Sequence, residues 1–92
     1  MTTTTRREQD RAGYHEAQRA AEAMRADARG FRAIAAEAWT SANPSLYGPR
    51  AQTYADGLAA RYELLAEFAE YEATRQDDIA ADLRLHLTGE RP

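Results

Sequence analysis

Residues 14–38 read YHEAQRAAEAMRADARGFRAIAAEA and contain the clearest helical pattern of the chain. Eight of the apolar residues in this stretch are spaced alternately three and four apart, which is the repeat of a helix that buries one stripe against a partner helix. More than half of the stripe is alanine, so a partner backbone approaches closely but each contact buries little area. Its members are Tyr14, Ala17, Ala21, Met24, Ala28, Phe31, Ala35 and Ala38.

A turn follows this helix in the segment NPSLYGP, residues 43–49. Asn43 precedes a proline, which disfavours the helical conformation, and Gly48 followed by Pro49 suits the start of a second helix. Gly30, with Ala26 one turn before it, predicts a tight helix crossing. The predicted boundaries within one domain, residues 8–88, are a helix over 8–42, a loop over 43–49 and a helix over 50–87, with disordered tails over 1–7 and 89–92.

The second helix repeats the apolar pattern with larger side chains. We expect it to be continuous, although Thr74 and Asp77 have the spacing of a capping box, because no Gly or Pro lies nearby. Its predicted buried stripe is Tyr54, Leu58, Tyr62, Leu65, Phe68, Ala69, Ile79 and Leu83. A second stripe beside it consists of Leu64, Phe68 and Tyr71.

The fold class predicted from these elements is all-α, an antiparallel two-helix hairpin, since a short connection makes successive helices neighbours. Folding at the loop places Phe31 near Tyr62. The same register pairs opposite charges in successive turns, Arg29 with Glu63 and Arg25 with Glu67.

The composition indicates a small core. Alanine accounts for 21 of the 92 residues, whereas Leu, Ile and Phe together account for 11 and valine is absent. A hairpin of this size is marginal on its own, and the second stripe widens the apolar sector of its helix. We therefore expect a homodimer, a four-helix bundle in which Leu64, Phe68 and Tyr71 mediate self-association.

The same composition excludes several classes of protein. Without cysteine there is neither a disulfide framework nor a thiolate zinc site. No apolar run approaches the roughly 20 residues that cross a bilayer, and residues 1–10 lack the apolar core of a signal peptide. These features predict a cytoplasmic protein without membrane insertion. All twelve basic residues are arginine, a bias typical of a GC-rich bacterial or phage genome.

Nucleic acid is not an expected partner. Basic residues cluster only at Arg6, Arg7 and Arg11, and residues 61–92 carry four arginines against eight acidic residues. A duplex-binding protein needs a concentrated basic surface.

Candidate chemical sites are few. Asp78, Asp82 and His86 lie four residues apart, with His15 near them in the hairpin, but the Glu-x-x-His spacing of bundle metal sites is absent. Glu67 and Glu70 form a Glu-x-x-Glu pair that resembles the MazG family of all-helical nucleotide pyrophosphatases. That resemblance implies a metal-dependent hydrolase, but the family's downstream Glu-x-x-Asp does not follow. We predict no catalytic, cofactor-binding or metal-binding residues, and no enzyme activity.

The loop end carries the candidate partner contact. Trp39, Leu46 and Tyr47 are large apolar residues where a turn does not need them, and such residues are enriched in binding hot spots. The alternative is that they only cap the end of the hairpin. We favour the capping role for Trp39 and the partner contact for Leu46 and Tyr47.

A hairpin with a tryptophan near its turn is also similar to the WXG100 secretion substrates, with Trp39-Thr40-Ser41 in place of the family's Trp-x-Gly. That resemblance implies a small secretion-system substrate, although no Tyr is followed four residues later by an acidic residue. The function we predict is a protein–protein interaction module, an adaptor, inhibitor or assembly factor, with a secretion substrate and a metal-dependent hydrolase as alternatives.

Overall fold

The computed structural model describes residues 5–41 and 48–88, and these form two long helices. Helix α1 spans Arg6–Ser41 and helix α2 spans Pro49–Thr88. The described residues contain no strand, and the helices pack against each other extensively. The predicted all-α helical hairpin is therefore confirmed.

Helix α1 begins two residues earlier than predicted because Thr5 caps it. The backbone N–H of Glu8 donates to Thr5 Oγ1 at 3.1 Å, and the N–H of Gln9 donates to the Thr5 carbonyl at 3.0 Å. Threonine followed three residues later by glutamate is the sequence of a capping box.

Helix α2 begins directly after Gly48, whose φ of 81° lies in the left-handed region that favours glycine. Its carbonyl accepts a hydrogen bond from Ala51 N–H at 3.2 Å, which closes the first turn. The helix continues to Thr88 without a break at residues 74–78, as expected from the absence of Gly and Pro there.

The chain divides into two units. Among the described residues, the terminal unit consists of 5–24 and 71–88, and the central unit consists of 25–41 and 48–70.

In the terminal unit the beginning of α1 lies against the end of α2. Arg7 Nη2 donates to the Leu87 carbonyl at 3.2 Å, and His86 Nδ1 lies 4.0 Å from Asp10 Oδ2. These contacts establish antiparallel packing in this unit.

In the central unit the helices also run antiparallel. The rings of Phe31 and Tyr62 lie 6.1 Å apart, which confirms this predicted pair. Phe31 packs beside a cluster formed by Ala28, Ala66 and Ala69.

Among the residues that the structure describes, every buried apolar side chain is an alanine. The α1 stripe is confirmed. The predicted α2 stripe is confirmed only in part, because Ala69 is buried and Leu58, Tyr62 and Leu83 are half-buried, but Tyr54, Leu65, Phe68 and Ile79 are exposed. Alanines spaced three, four and seven apart take their place, since a side chain of one methyl group lets the helices approach closely along both stripes. The buried set is Ala17, Ala21, Ala28, Ala35, Ala55, Ala59, Ala66, Ala69, Ala73 and Ala80.

Gly30 is not at a helix crossing within this chain. It is exposed, and a Cβ added to it would have no neighbour within 4 Å. The predicted tight crossing at Gly30 is therefore wrong for the hairpin itself.

Candidate interaction surface

Trp39 holds a fixed position near the end of α1. Its Nε1–H donates to Asp56 Oδ1 at 2.9 Å, and the Gln52 side-chain amide donates to the same oxygen at 2.9 Å. The side chain nevertheless remains 54% exposed. Trp39 is thus anchored to α2 by its polar edge while much of its ring stays open. Leu46 and Tyr47, the other two candidates for the partner contact, lie outside the described residues.

An ion-pair cluster joins the two helices of the central unit. Arg32 Nε lies 3.5 Å from Glu63 Oε2, and Arg32 Nη1 donates to Glu70 Oε1. The hydrogen bond to Glu70 raises the pKa of the Arg32 guanidinium above its ordinary value. The same bond lowers the pKa of the Glu70 carboxyl, because it favours the ionised form.

The partner of Glu63 differs from the predicted one. It pairs with Arg32 and not with Arg29, which lies three residues earlier on α1. Arg25 and Glu67, the second predicted pair, are exposed residues of the same unit. The offset arises because the packing of Ala28 with Ala66 and Ala69 sets the register, whereas the prediction assumed symmetric folding at the loop.

The residues predicted for self-association are all exposed. Phe68 is 63% exposed, and Leu64 and Tyr71 likewise lie on the outer surface of α2. Leu64 and Phe68 belong to the central unit and Tyr71 to the terminal unit.

The ion pairs of the central unit and five of its apolar residues lie on opposite sides. Two residues correspond to about 200° around a helix. Ile34 is two residues from Arg32, and Leu65 is two residues from Glu63. Elsewhere on α2, Tyr54 and Leu58 are each two residues from Asp56, and Phe68 is two residues from Glu70.

We call this side the apolar flank and define it by Ile34, Tyr54, Leu58, Leu65 and Phe68. Leu58 is half-buried and the other four are exposed. Only Phe68 of this set was predicted to mediate self-association. Tyr54, Leu58 and Leu65 were assigned to the buried stripe. A search for the alanine repeat in α2 would have found the flank, because it places Ala59 and Ala66 inward and the preceding leucines beside them.

The candidate chemical residues remain dispersed. His86 contacts Asp10, and the ring of His15 lies edge-on to that of Tyr14 with centroids 5.5 Å apart. Within residues 5–41 and 48–88, no group of three or more His, Asp or Glu side chains is arranged to hold a metal ion. Of the Glu-x-x-Glu pair, Glu70 is engaged by Arg32.

Comparison of the chain with protein-family models, with curated proteins and with solved structures found no match. Neither described helix combines the length and the apolar character needed to span a bilayer.

Proposed function

We propose that this chain is a non-enzymatic protein–protein interaction module, an adaptor, inhibitor or assembly factor, which pairs with a second copy into a four-helix bundle. The proposal rests on the burial pattern of the central unit, in which small alanine side chains are buried and larger apolar side chains are exposed. Ala59 and Ala66 have no accessible surface, whereas Phe68 is 63% exposed.

The energetics of burial support a partner. Covering a Leu, Ile or Phe side chain stabilises a protein by about 1.5–3 kcal/mol, and an alanine methyl group contributes only about 0.8 kcal/mol. A single hairpin therefore leaves part of its available hydrophobic free energy unused. A second protein surface over the exposed side chains recovers it.

The loop end supplies the contact with a different protein. Trp39 presents an open ring whose orientation is held by its hydrogen bond to Asp56. Aromatic side chains with little conformational freedom are favoured in binding hot spots. We extend the contact to Leu46 and Tyr47 on the sequence evidence that a turn does not require such residues.

Light scattering coupled to size exclusion tests the self-association. At micromolar concentration we expect about twice the 10.3 kDa of one chain. Phe68→Asp should shift the mass toward the monomer because it places a charge in an apolar contact. Ala60→Asp, which adds the same charge at another exposed position of α2, is the matched control. A monomeric wild-type protein contradicts the proposed pairing.

Affinity capture from the native host tests the loop-end contact. Replacing Leu46 and Tyr47 with alanine should abolish capture of the partner and leave the melting temperature and dimer mass unchanged. Trp39→Phe, which removes the hydrogen bond to Asp56 and part of the exposed ring, should weaken capture. If the folded double variant still captures the partner, the contact lies elsewhere.

A further inference from the structure

We infer that the apolar flank is the surface on which two copies of this chain pair, with α1 of one copy against α2 of the other around a two-fold axis parallel to the helices. This inference rests on the proposed self-association and specifies its geometry. The proposed contact surface is therefore the flank that includes Ile34 and Leu65, and not the predicted stripe of Leu64, Phe68 and Tyr71.

The flank has the size that a dimer requires. At about 150–250 Å² for a whole aromatic side chain, the exposed parts of its five side chains present roughly 400 Å² of apolar surface. A standard interface covers about 800 Å² per partner, of which roughly 56–58% is apolar. The two values agree, and the largest apolar patch of a monomeric protein, roughly 300–600 Å², is often a functional site.

The charges beside the flank favour a second copy in one orientation. On this side α1 carries Asp27 and Glu37, and α2 carries Arg61, two residues from Glu63. Neither Glu37 nor Arg61 has an ion pair among the described residues. An axis parallel to the helices brings α1 of one copy against α2 of the other, which places unlike charges opposite each other. An axis perpendicular to them brings like helices together, so that the acidic residues of α1 face α1 of the other copy and Arg61 faces α2, without an opposite charge from this set.

The register within one chain fixes which residues meet. Arg32 pairs with Glu63 and Trp39 with Asp56. Each step forward along α1 from Arg32 therefore corresponds to one step backward along α2 from Glu63, and residues matched in this way lie at the same height along the helices. Arg61 is then level with Ile34. Glu37 lies three residues beyond Ile34, about 4.5 Å along the helix, which an arginine side chain spans. A two-fold axis parallel to the helices keeps these heights and places Arg61 beside Glu37 of the other copy.

Gly30 fits the same arrangement. By the same relation Leu65 is level with Gly30, and the space over the Gly30 backbone is open in one chain. Glycine weakens a helix interior relative to alanine. Within one chain a Cβ at this position would have no neighbour within 4 Å, so the packing of the hairpin does not require glycine here. In the pair, Leu65 of the second copy packs over this position.

Adjacent leucines provide a matched test. Leu65 belongs to the apolar flank, and Leu64 lies 100° away around the helix, also exposed. We expect Leu65→Asp to raise the dimer dissociation constant by about tenfold or more, since it buries an unpaired carboxylate. Leu64→Asp should leave it nearly unchanged. Equal loss in both variants, or none in Leu65→Asp, overturns the placement.

A charge exchange tests the orientation without relying on a loss. Arg61→Glu alone and Glu37→Arg alone should each weaken the homodimer, because two like-charge contacts form. Mixed together, the two variants restore opposite charges at both contacts. Native mass spectrometry should then show more mixed dimer than the half given by random pairing. Random pairing or less overturns the orientation.

The experiments distinguish a failure of the proposed interface from a failure of the proposed self-association. A wild-type chain that stays monomeric contradicts the self-association and overturns the inference with it, leaving the flank to a different protein. A wild-type dimer that survives Leu65→Asp contradicts only the location of the interface. Circular dichroism of each single variant verifies that lost dimer is not lost helix.

Discussion

The all-alanine core makes enlarging a buried alanine the most direct test of this fold. Ala66 has no accessible surface and clusters with Ala28 and Ala69, with Phe31 packed beside them. Ala66→Leu adds three carbon atoms where no space is available. Extra methylenes in a well-packed core destabilise proteins by about 1–3 kcal/mol.

The matched control is Ala60→Leu on the exposed side of the same helix. Alanine and leucine differ little in helix propensity, so this change should alter stability by less than about 0.5 kcal/mol. The difference between the two variants isolates the packing of the helices from the formation of the helix.

Thermal and urea unfolding at one fixed protein concentration measure the effect. For a chain of this size, about 1 kcal/mol corresponds to roughly 4–8 °C in Tm, so Ala66→Leu should melt at least several degrees below Ala60→Leu. If Ala66→Leu matches or exceeds the control, the helices do not meet along their alanines and the packing argument is wrong.

Other predictions address the helices, their ends and the ion pairs. Far-ultraviolet circular dichroism should show more than half helix, because α1 and α2 comprise 36 and 40 of the 92 residues; a lower value contradicts the hairpin. Gly57→Ala should raise the free energy of unfolding by about 0.5–1 kcal/mol, since an added Cβ meets nothing within 4 Å. Thr5→Ala should lower it by about 0.5–2 kcal/mol through loss of the cap, measured as a change in urea midpoint, whereas Thr5→Ser should not. Because Arg32 lowers the pKa of Glu70, the stabilisation from this pair is present above the ordinary carboxyl pKa and is lost as the pH falls through the folded value. Glu70→Gln should therefore make stability less dependent on pH in the acid range, and an unchanged profile contradicts the pair.

The helices and their approximate ends follow from local sequence. Ala, Glu, Arg and Gln favour helix without tertiary help, and Pro49 after Gly48 marks the start of α2. The start of α1 was placed two residues late because the Thr5 and Glu8 capping pattern was not used. Both signals act through backbone hydrogen bonds within a few residues, so the sequence contains all the information needed to read them.

The α1 stripe was also predicted correctly, because in α1 the large apolar residues Tyr14, Met24 and Phe31 and the buried alanines belong to one alternating set. In α2 two sets compete, one of leucines and aromatics and one of alanines. Ranking by hydrophobicity selected the first set, which includes Tyr54 and Phe68, both exposed in the structure. The buried alanines of α1 at positions 21, 28 and 35 would have pointed to Ala59, Ala66 and Ala73, since seven-residue spacing recurs in both helices.

The register of the two helices, and with it the two sides of the central unit, follows from how the helices pack. The partner of Glu63 is Arg32 and not Arg29, a difference of about one helical turn. Sequence spacing repeats every turn, so neighbouring registers satisfy the same pattern of apolar and charged residues. What separates them is the fit of Ala28 beside Ala66 and Ala69, a property of two helices in contact that neither helix has alone.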